Sequence, residues 1–179
     1  VLEYYGGSPP KCTRCGTNIL AFLTIDHINN DGAEHRAKDR LTGGQKTYRW
    51  IRKNGFPQGF QVLCFNCQLI KKREYLDRTS HARKRPVRGR DKEQIISEYS
   101  NGTNACMCCG EDNPQCLTID HINGGGVAYF KATKRFGSEF YAWLRKNDFP
   151  DKNKYQILCM NCNFAKGHGG CPHQVKVKI

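Results

Sequence analysis

Apolar positions change their period along this chain, and the whole pattern then occurs a second time. Residues 20–28 (Leu-Ala-Phe-Leu-Thr-Ile-Asp-His-Ile) and 117–122 (Leu-Thr-Ile-Asp-His-Ile) are apolar, β-prone runs that predict strands. Shorter runs at 60–63 and 155–158 predict a second strand in each half. Between the later strands, Phe136, Phe140, Trp143 and Leu144 stand at i, i+4, i+7 and i+8, which is one face of a helix. In the first half Gly55 stands where the C-cap of the matching helix belongs. Residues 67–78 read as a basic helix, and Asp91-x-x-Gln94 followed by Ile95, Ile96 and Tyr99 reads as a capped one. Polar or Gly-rich loops follow the first strand of each half: Asn29-Asn30-Asp31-Gly32 and Asn123-Gly124-Gly125-Gly126.

The repetition is close. Leu23-Thr24-Ile25-Asp26-His27-Ile28-Asn29 recurs unchanged as residues 117–123, Arg52-Lys53-Asn54 as Arg145-Lys146-Asn147, and Phe56-Pro57 as Phe149-Pro150. The offset stays between 93 and 95 residues, so the chain is read as a duplication. Leu2-Glu3-Tyr4 resembles Ser97-Glu98-Tyr99, and the chain is expected to begin inside the helix that matches the one starting at Asp91. The resulting expectation is an α+β protein of two tandem small units, 1–78 and 91–179, joined by a basic linker at 79–90.

A unit this small buries a thin core and needs a staple. The eleven cysteines supply one. Cys12 and Cys15 pair with Cys64 and Cys67 across a gap of 48 residues; Cys106 and Cys109 pair with Cys159 and Cys162 across 49. Four thiolates from two C-x-x-C pairs suit one tetrahedral Zn²⁺ per unit, two in all, closing a loop that the core could not hold shut. Such pairs read as metal ligands in a reducing, intracellular compartment rather than as a secreted disulfide framework. Cys108, Cys116 and Cys171 are left over and read as packing or incidental thiols. A third metal site in the tail from Gly167 to His173 is the alternative for Cys171.

Charge narrows the partner. Lys and Arg number 29 against 16 Asp and Glu, a formal net charge of +13. A polyanion releases counterions on meeting such a surface, so nucleic acid is the expected partner. Lys71, Lys72, Arg73, Arg83, Lys84, Arg85, Arg88 and Lys166 are the candidate phosphate contacts, with a solvated charge run as the other reading of the linker. No run approaches the length of a membrane span, so no membrane partner is expected.

Asp-His at the end of a strand offers a hard oxygen donor and an imidazole that titrates near neutrality. Each pair begins eleven residues after the second cysteine of its knuckle. Adjacent strand residues point to opposite faces, so a distortion is expected where the two groups meet one phosphate.

These residues resemble the HNH, or ββα-metal (His-Me finger), nucleases, in particular the phage endonuclease VII branch, where four zinc cysteines accompany Asp-His and an Asn after the last cysteine. The resemblance covers nearly the whole chain as two copies. It implies two tandem zinc-stapled ββα-metal units, with His27 and His121 as general bases. It implies one catalytic Mg²⁺ per active unit, held by Asp26 and Gln68 in unit 1 and by Asp120 and Asn163 in unit 2. Gln68 stands where the family has Asn, so unit 2 is expected to be the better catalyst. Gly32, His35 and Arg36 also resemble the Gly-x-x-His-Arg of intron-borne HNH homing endonucleases; unit 2 has no His at that place. The implied function is a metal-dependent endonuclease hydrolysing DNA, monomeric because the duplication mimics a dimer. The alternative is a catalytically decayed descendant that binds nucleic acid, for instance an RNA-binding component of a large ribonucleoprotein assembly.

Overall fold

The computed structural model describes residues 1–78, 88–135 and 137–174, the backbone alone for 88–91 and 174. Arg83, Lys84, Arg85 and Phe136 therefore lie outside the described residues, as does the side chain of Arg88. The chain is α+β and forms two compact units, Val1–Tyr75 and Leu76–Ile179.

Unit 1 begins with a short helix α1 (Leu2–Gly6). A 3-10 turn (Leu20–Phe22) then leads into strand β1 (Leu23–His27). Helices α2 (Gly32–Lys38) and α3 (Gly44–Lys53) follow, then strand β2 (Phe60–Cys64) and helix α4 (Phe65–Arg78). The strands pair antiparallel, from Leu23 opposite Cys64 to His27 opposite Phe60. Leu23 and Ile25 alternate inward as the period of two requires, and the core adds Phe22, Ile51, Phe60, Val62 and Leu63. Gly55 has φ of 68° one residue past the C-cap Asn54, the left-handed ending that its type allows.

Unit 2 opens with α5 (Arg88–Tyr99), which starts three residues ahead of the Asp91 cap read from the sequence. Strand β3 (Leu117–His121), helices α6 (Gly126–Thr133) and α7 (Gly137–Lys146), strand β4 (Tyr155–Cys159) and helix α8 (Met160–Lys166) follow. Its antiparallel pair has the register of unit 1, Leu117 opposite Cys159 and His121 opposite Tyr155. On α7, Phe140 and Leu144 are buried. Ile95, Ile96 and Tyr99 of α5 are buried as well.

Two expectations change. The loops after β1 and β3 lead into helices α2 and α6, which polar composition and glycines hid. The repeat at the N-terminus is shifted by one residue. Tyr5, not Tyr4, donates from its hydroxyl to the Pro57 carbonyl at 2.6 Å, as Tyr99 donates to the Pro150 carbonyl at 2.7 Å. Two adjacent tyrosines made the alignment ambiguous.

Candidate metal centres and the Asp-His site

The four sulfurs of Cys12, Cys15, Cys64 and Cys67 converge, as do those of Cys106, Cys109, Cys159 and Cys162, each set lying within 4.8 Å of one another. The convergence follows from the fold. The β2 and β4 strands end on Cys64 and Cys159, and the next turn of helix returns Cys67 and Cys162 beside them. The N–H of Cys12 donates to the Thr17 carbonyl and that of Cys106 to the Glu111 carbonyl, both at 2.8 Å, closing the two first knuckles. A tetrahedron with Zn–S bonds of about 2.3 Å has edges of about 3.8 Å. Cys15 to Cys64 and Cys109 to Cys159 each measure 3.8 Å. The backbone N–H of Cys67 also donates to Cys64 Sγ at 3.4 Å. Sulfur donors at this separation fit Zn²⁺. Without a cation the sulfurs cannot all ionise: a proton shared with Cys64, then burial, drives the Cys67 thiol upward, and sharing with Cys106 and Cys159 drives Cys162 upward.

Asp26 and His27 end β1 in regular register, opposite Gln61 and Phe60. The expected distortion is absent, because the strand runs straight to His27 before the turn begins. The two side chains therefore keep separate company. Gln61 Nε2 donates to Asp26 Oδ2 at 2.9 Å, Gln68 Nε2 to Oδ1 at 3.3 Å, and Lys71 Nζ sits 2.5 Å from Oδ2. Lys71 also donates to the His27 carbonyl at 2.5 Å. Unit 2 repeats this: Gln156 Nε2 donates to Asp120 Oδ2 at 2.9 Å, and Lys166 Nζ lies 2.5 Å from Oδ2 and 2.6 Å from the His121 carbonyl. Asn163 is half-buried on the first turn of α8. Lys71 and Lys166, read from the sequence as phosphate contacts, are thus tied to the carboxylates. Lys72 is exposed and Arg73 half-buried on α4. The hard oxygen donors suit Mg²⁺, and Gln68 shows that an amide reaches the carboxylate; a cation there must displace the lysine from it.

On the other side His27 lies among aromatic rings. Its Nε2 is 2.8 Å from His35 Nδ1, and its centroid lies 4.7 Å from that of Phe60. His35 in turn packs edge-on to Trp50, with its Nε2 3.4 Å from Asp39 Oδ2, an ion-pair distance without hydrogen-bond geometry. Gly32, where α2 begins, has no room for a side chain, because a Cβ there would stand 2.8 Å from His27 Nδ1. In unit 2 Tyr129 takes the place of His35, its centroid 5.4 Å from that of His121. His121 Nε2 and the Tyr129 hydroxyl are buried without a hydrogen-bond partner among the described residues. Burial is the main cause that lowers both imidazoles below their ordinary 6.5; the neighbouring His35 adds to it at His27, while Asp120 partly opposes it at His121. Both shifts favour the neutral ring, the form that can accept a proton.

The residues that sequence reasoning left out are Gln61 and Gln156, Lys71 and Lys166 as carboxylate partners, and Tyr129. Gln61 and Gln156 were legible in principle, since each lies directly opposite Asp in the strand register. No helix of the described residues is long and apolar enough to cross a membrane. Comparison with protein-family models, curated proteins and solved structures found no match to this chain.

Proposed function

We propose that the chain is a zinc-stapled, HNH-like endonuclease acting on DNA, built from two tandem ββα-metal units. The observation that carries this reading is the repeated Asp-His pair at the end of β1 and β3, with a neutral imidazole on one side and a carboxylate in a cation's company on the other. The tetrahedral spacing of the sulfurs supports one structural Zn²⁺ per four-cysteine cluster. Mg²⁺ held by Asp26 and Gln68, or by Asp120 and Asn163, would supply positive charge at the leaving oxygen of a phosphodiester. His27 and His121 take the proton of the attacking water. In unit 1 the contact of Nε2 with His35 holds the ring in place. Lys71 and Lys166, released from the carboxylates, are left beside the phosphate. The net charge of +13 draws the substrate in.

Two observations rank the units in opposite senses. The His35 contact orients the base of unit 1, whereas unit 2 has the shorter amide of Asn163. Cation placement governs the charge at the leaving oxygen and carries several kcal/mol. Orientation of an imidazole carries only part of the ~10²–10⁴-fold that a base supplies. Unit 2 is therefore the better catalyst.

Supercoiled plasmid incubated with the protein and Mg²⁺ tests the proposal. Nicked or linear product is expected, and none in buffer without Mg²⁺. That buffer is a cleaner control than a chelator, which would also strip zinc. A second reading, a nucleic-acid-binding descendant without activity and bound to RNA, is favoured by the lysines already seated on both carboxylates. Plasmid left intact by protein that retains its zinc and its affinity for nucleic acid would establish it.

A further inference from the structure

Unit 2 carries a second cluster of ligand atoms that unit 1 lacks. Cys108, Cys162, Cys171 and His173 bring three sulfurs and one imidazole nitrogen within 4.8 Å of one another. Cys162 belongs to both clusters. We infer that unit 2 holds two zinc ions, joined by the Cys162 thiolate: one with Cys106, Cys109 and Cys159, the other with Cys108, Cys171 and His173. This rests on the reading that the four-cysteine clusters hold zinc.

The separations fit. Tetrahedral zinc with one nitrogen ligand has S···S edges of about 3.8 Å and S···N edges of about 3.6 Å. Cys108 Sγ lies 3.6 Å from Cys171 Sγ, while His173 Nδ1 lies 3.4 Å from Cys162 Sγ and 3.7 Å from Cys171 Sγ. The donors come from three places: Cys108 from the first knuckle, Cys162 from the first turn of α8, and Cys171 and His173 from the 3-10 turn Pro172–Gln174 and the residue before it. The chain is turned back to make the meeting. After α8, Gly169 and Gly170 take φ of 106° and 104°, values that side-chain-bearing residues rarely adopt, and Cys171 returns to within 2% of complete burial. A thiolate sulfur has lone pairs for two cations, and the added divalent ion is balanced by the two added thiolates. The bridged cluster thus has the same formal charge as a single ion in four thiolates. Nδ1 faces the cluster, so the imidazole ligates as the neutral ring with its proton on Nε2. A Cys108–Cys171 disulfide is the competing explanation. It needs the sulfurs to close to about 2.05 Å and gives His173 no reason to stand against Cys162.

The test uses the full chain purified without chelator. Zinc measured against protein should give three ions per chain. Two ions would overturn the third site and leave the four-thiolate sites standing; none would overturn both. Cys108→Ser and Cys171→Ser should each bind one ion fewer, and three ions retained in both would place the extra ion elsewhere and overturn the assignment. Intact mass under denaturing, non-reducing conditions should show every cysteine as a free thiol; loss of two protons restored by reductant would replace the site with a disulfide. Exchange into ¹¹³Cd needs no variant. It should give three resonances, two of them mutually split through the shared sulfur, and three unsplit resonances would overturn the bridge.

Discussion

Two residues past the first knuckle cysteine, unit 1 has Arg14 and unit 2 has Cys108. Arg14 reaches Glu74 near the end of α4, with both guanidinium nitrogens on the carboxylate at 2.9 and 2.5 Å. Cys108 reaches Cys171, beyond the end of the much shorter α8. Both side chains tie the knuckle to the segment that follows the second cysteine pair. Unit 1 does so with a solvent-facing ion pair and a long helix; unit 2 stops its helix at Lys166, reverses at two glycines and converges thiols. The same divergence is visible at the imidazoles, where unit 1 has His35 and unit 2 has Tyr129. A duplicated scaffold thus keeps its strands, Asp-His pairs and four-cysteine sites while the supports around them change chemistry.

Removing a zinc ligand tests what the units share, and has the largest expected effect. Structural zinc contributes roughly 10–16 kcal/mol in small domains, as much as the whole stability of a typical domain. Cys64→Ser should therefore unfold unit 1 and Cys159→Ser unit 2, each leaving the other folded, as read by amide exchange or limited proteolysis. Either unit surviving its own substitution at full stability would show that its core, not metal, holds it.

The imidazoles come next. His121→Ala should remove most nicking of plasmid, a loss on the order of 10²–10⁴ in rate with affinity nearly intact. His27→Ala should change little, and Gln68→Asn should raise the linear product. If His27→Ala is the more damaging, orientation by His35 outweighs the donor set and the ranking of units is reversed.

A smaller effect lies in pH. Burial lowers both imidazoles below 6.5, so the neutral base is still the major form as pH falls to that value. The rate should fall to half its plateau only below 6.5, measured for each unit alone in the His27→Ala and His121→Ala backgrounds. Stability carries the matching sign. Below 6.5 the unfolded chain takes up protons before the folded one, so each unit loses stability as pH falls and levels off once its folded imidazole is also charged. His35→Phe should move the unit 1 midpoint upward by removing a neighbouring charge. A profile centred above 6.5 would mean that the titrating base is another group.

Strands and the two four-cysteine clusters were legible in the sequence because each has a local signature: alternating apolar residues and C-x-x-C spacing. The strand ends also carried Asp26 and His27 in plain view. What was not legible depends on tertiary placement. Lys71 and Lys166 read as phosphate contacts since composition records charge and not the carboxylate opposite; helix α2 was masked by its polar residues, and α6 by the run of glycines that leads into it. Cys108 and Cys171 looked incidental because they are 63 residues apart and belong to no C-x-x-C pair. Their partnership depends on the reversal at Gly169 and Gly170.

The weakest perturbation is the most discriminating for the two ties. Arg14 and Glu74 are 41% and 38% exposed, so water and salt screen their attraction. Exposed pairs typically contribute about 1 kcal/mol or less. Arg14→Ala should therefore lower the stability of unit 1 by no more than that in denaturant titration, with less effect still in high salt and no change in metal content. Cys108→Ser, at the corresponding position, should remove an ion and cost unit 2 far more, with little dependence on salt. The contrast follows from what each tie is made of. An ion pair at the surface exchanges one set of solvated charges for another, whereas a thiolate on zinc is a bond that the unfolded chain cannot form at the same place. Equal, small losses at the two positions would mean that Cys108 is only packed against Cys171, and that the units differ in shape rather than in chemistry.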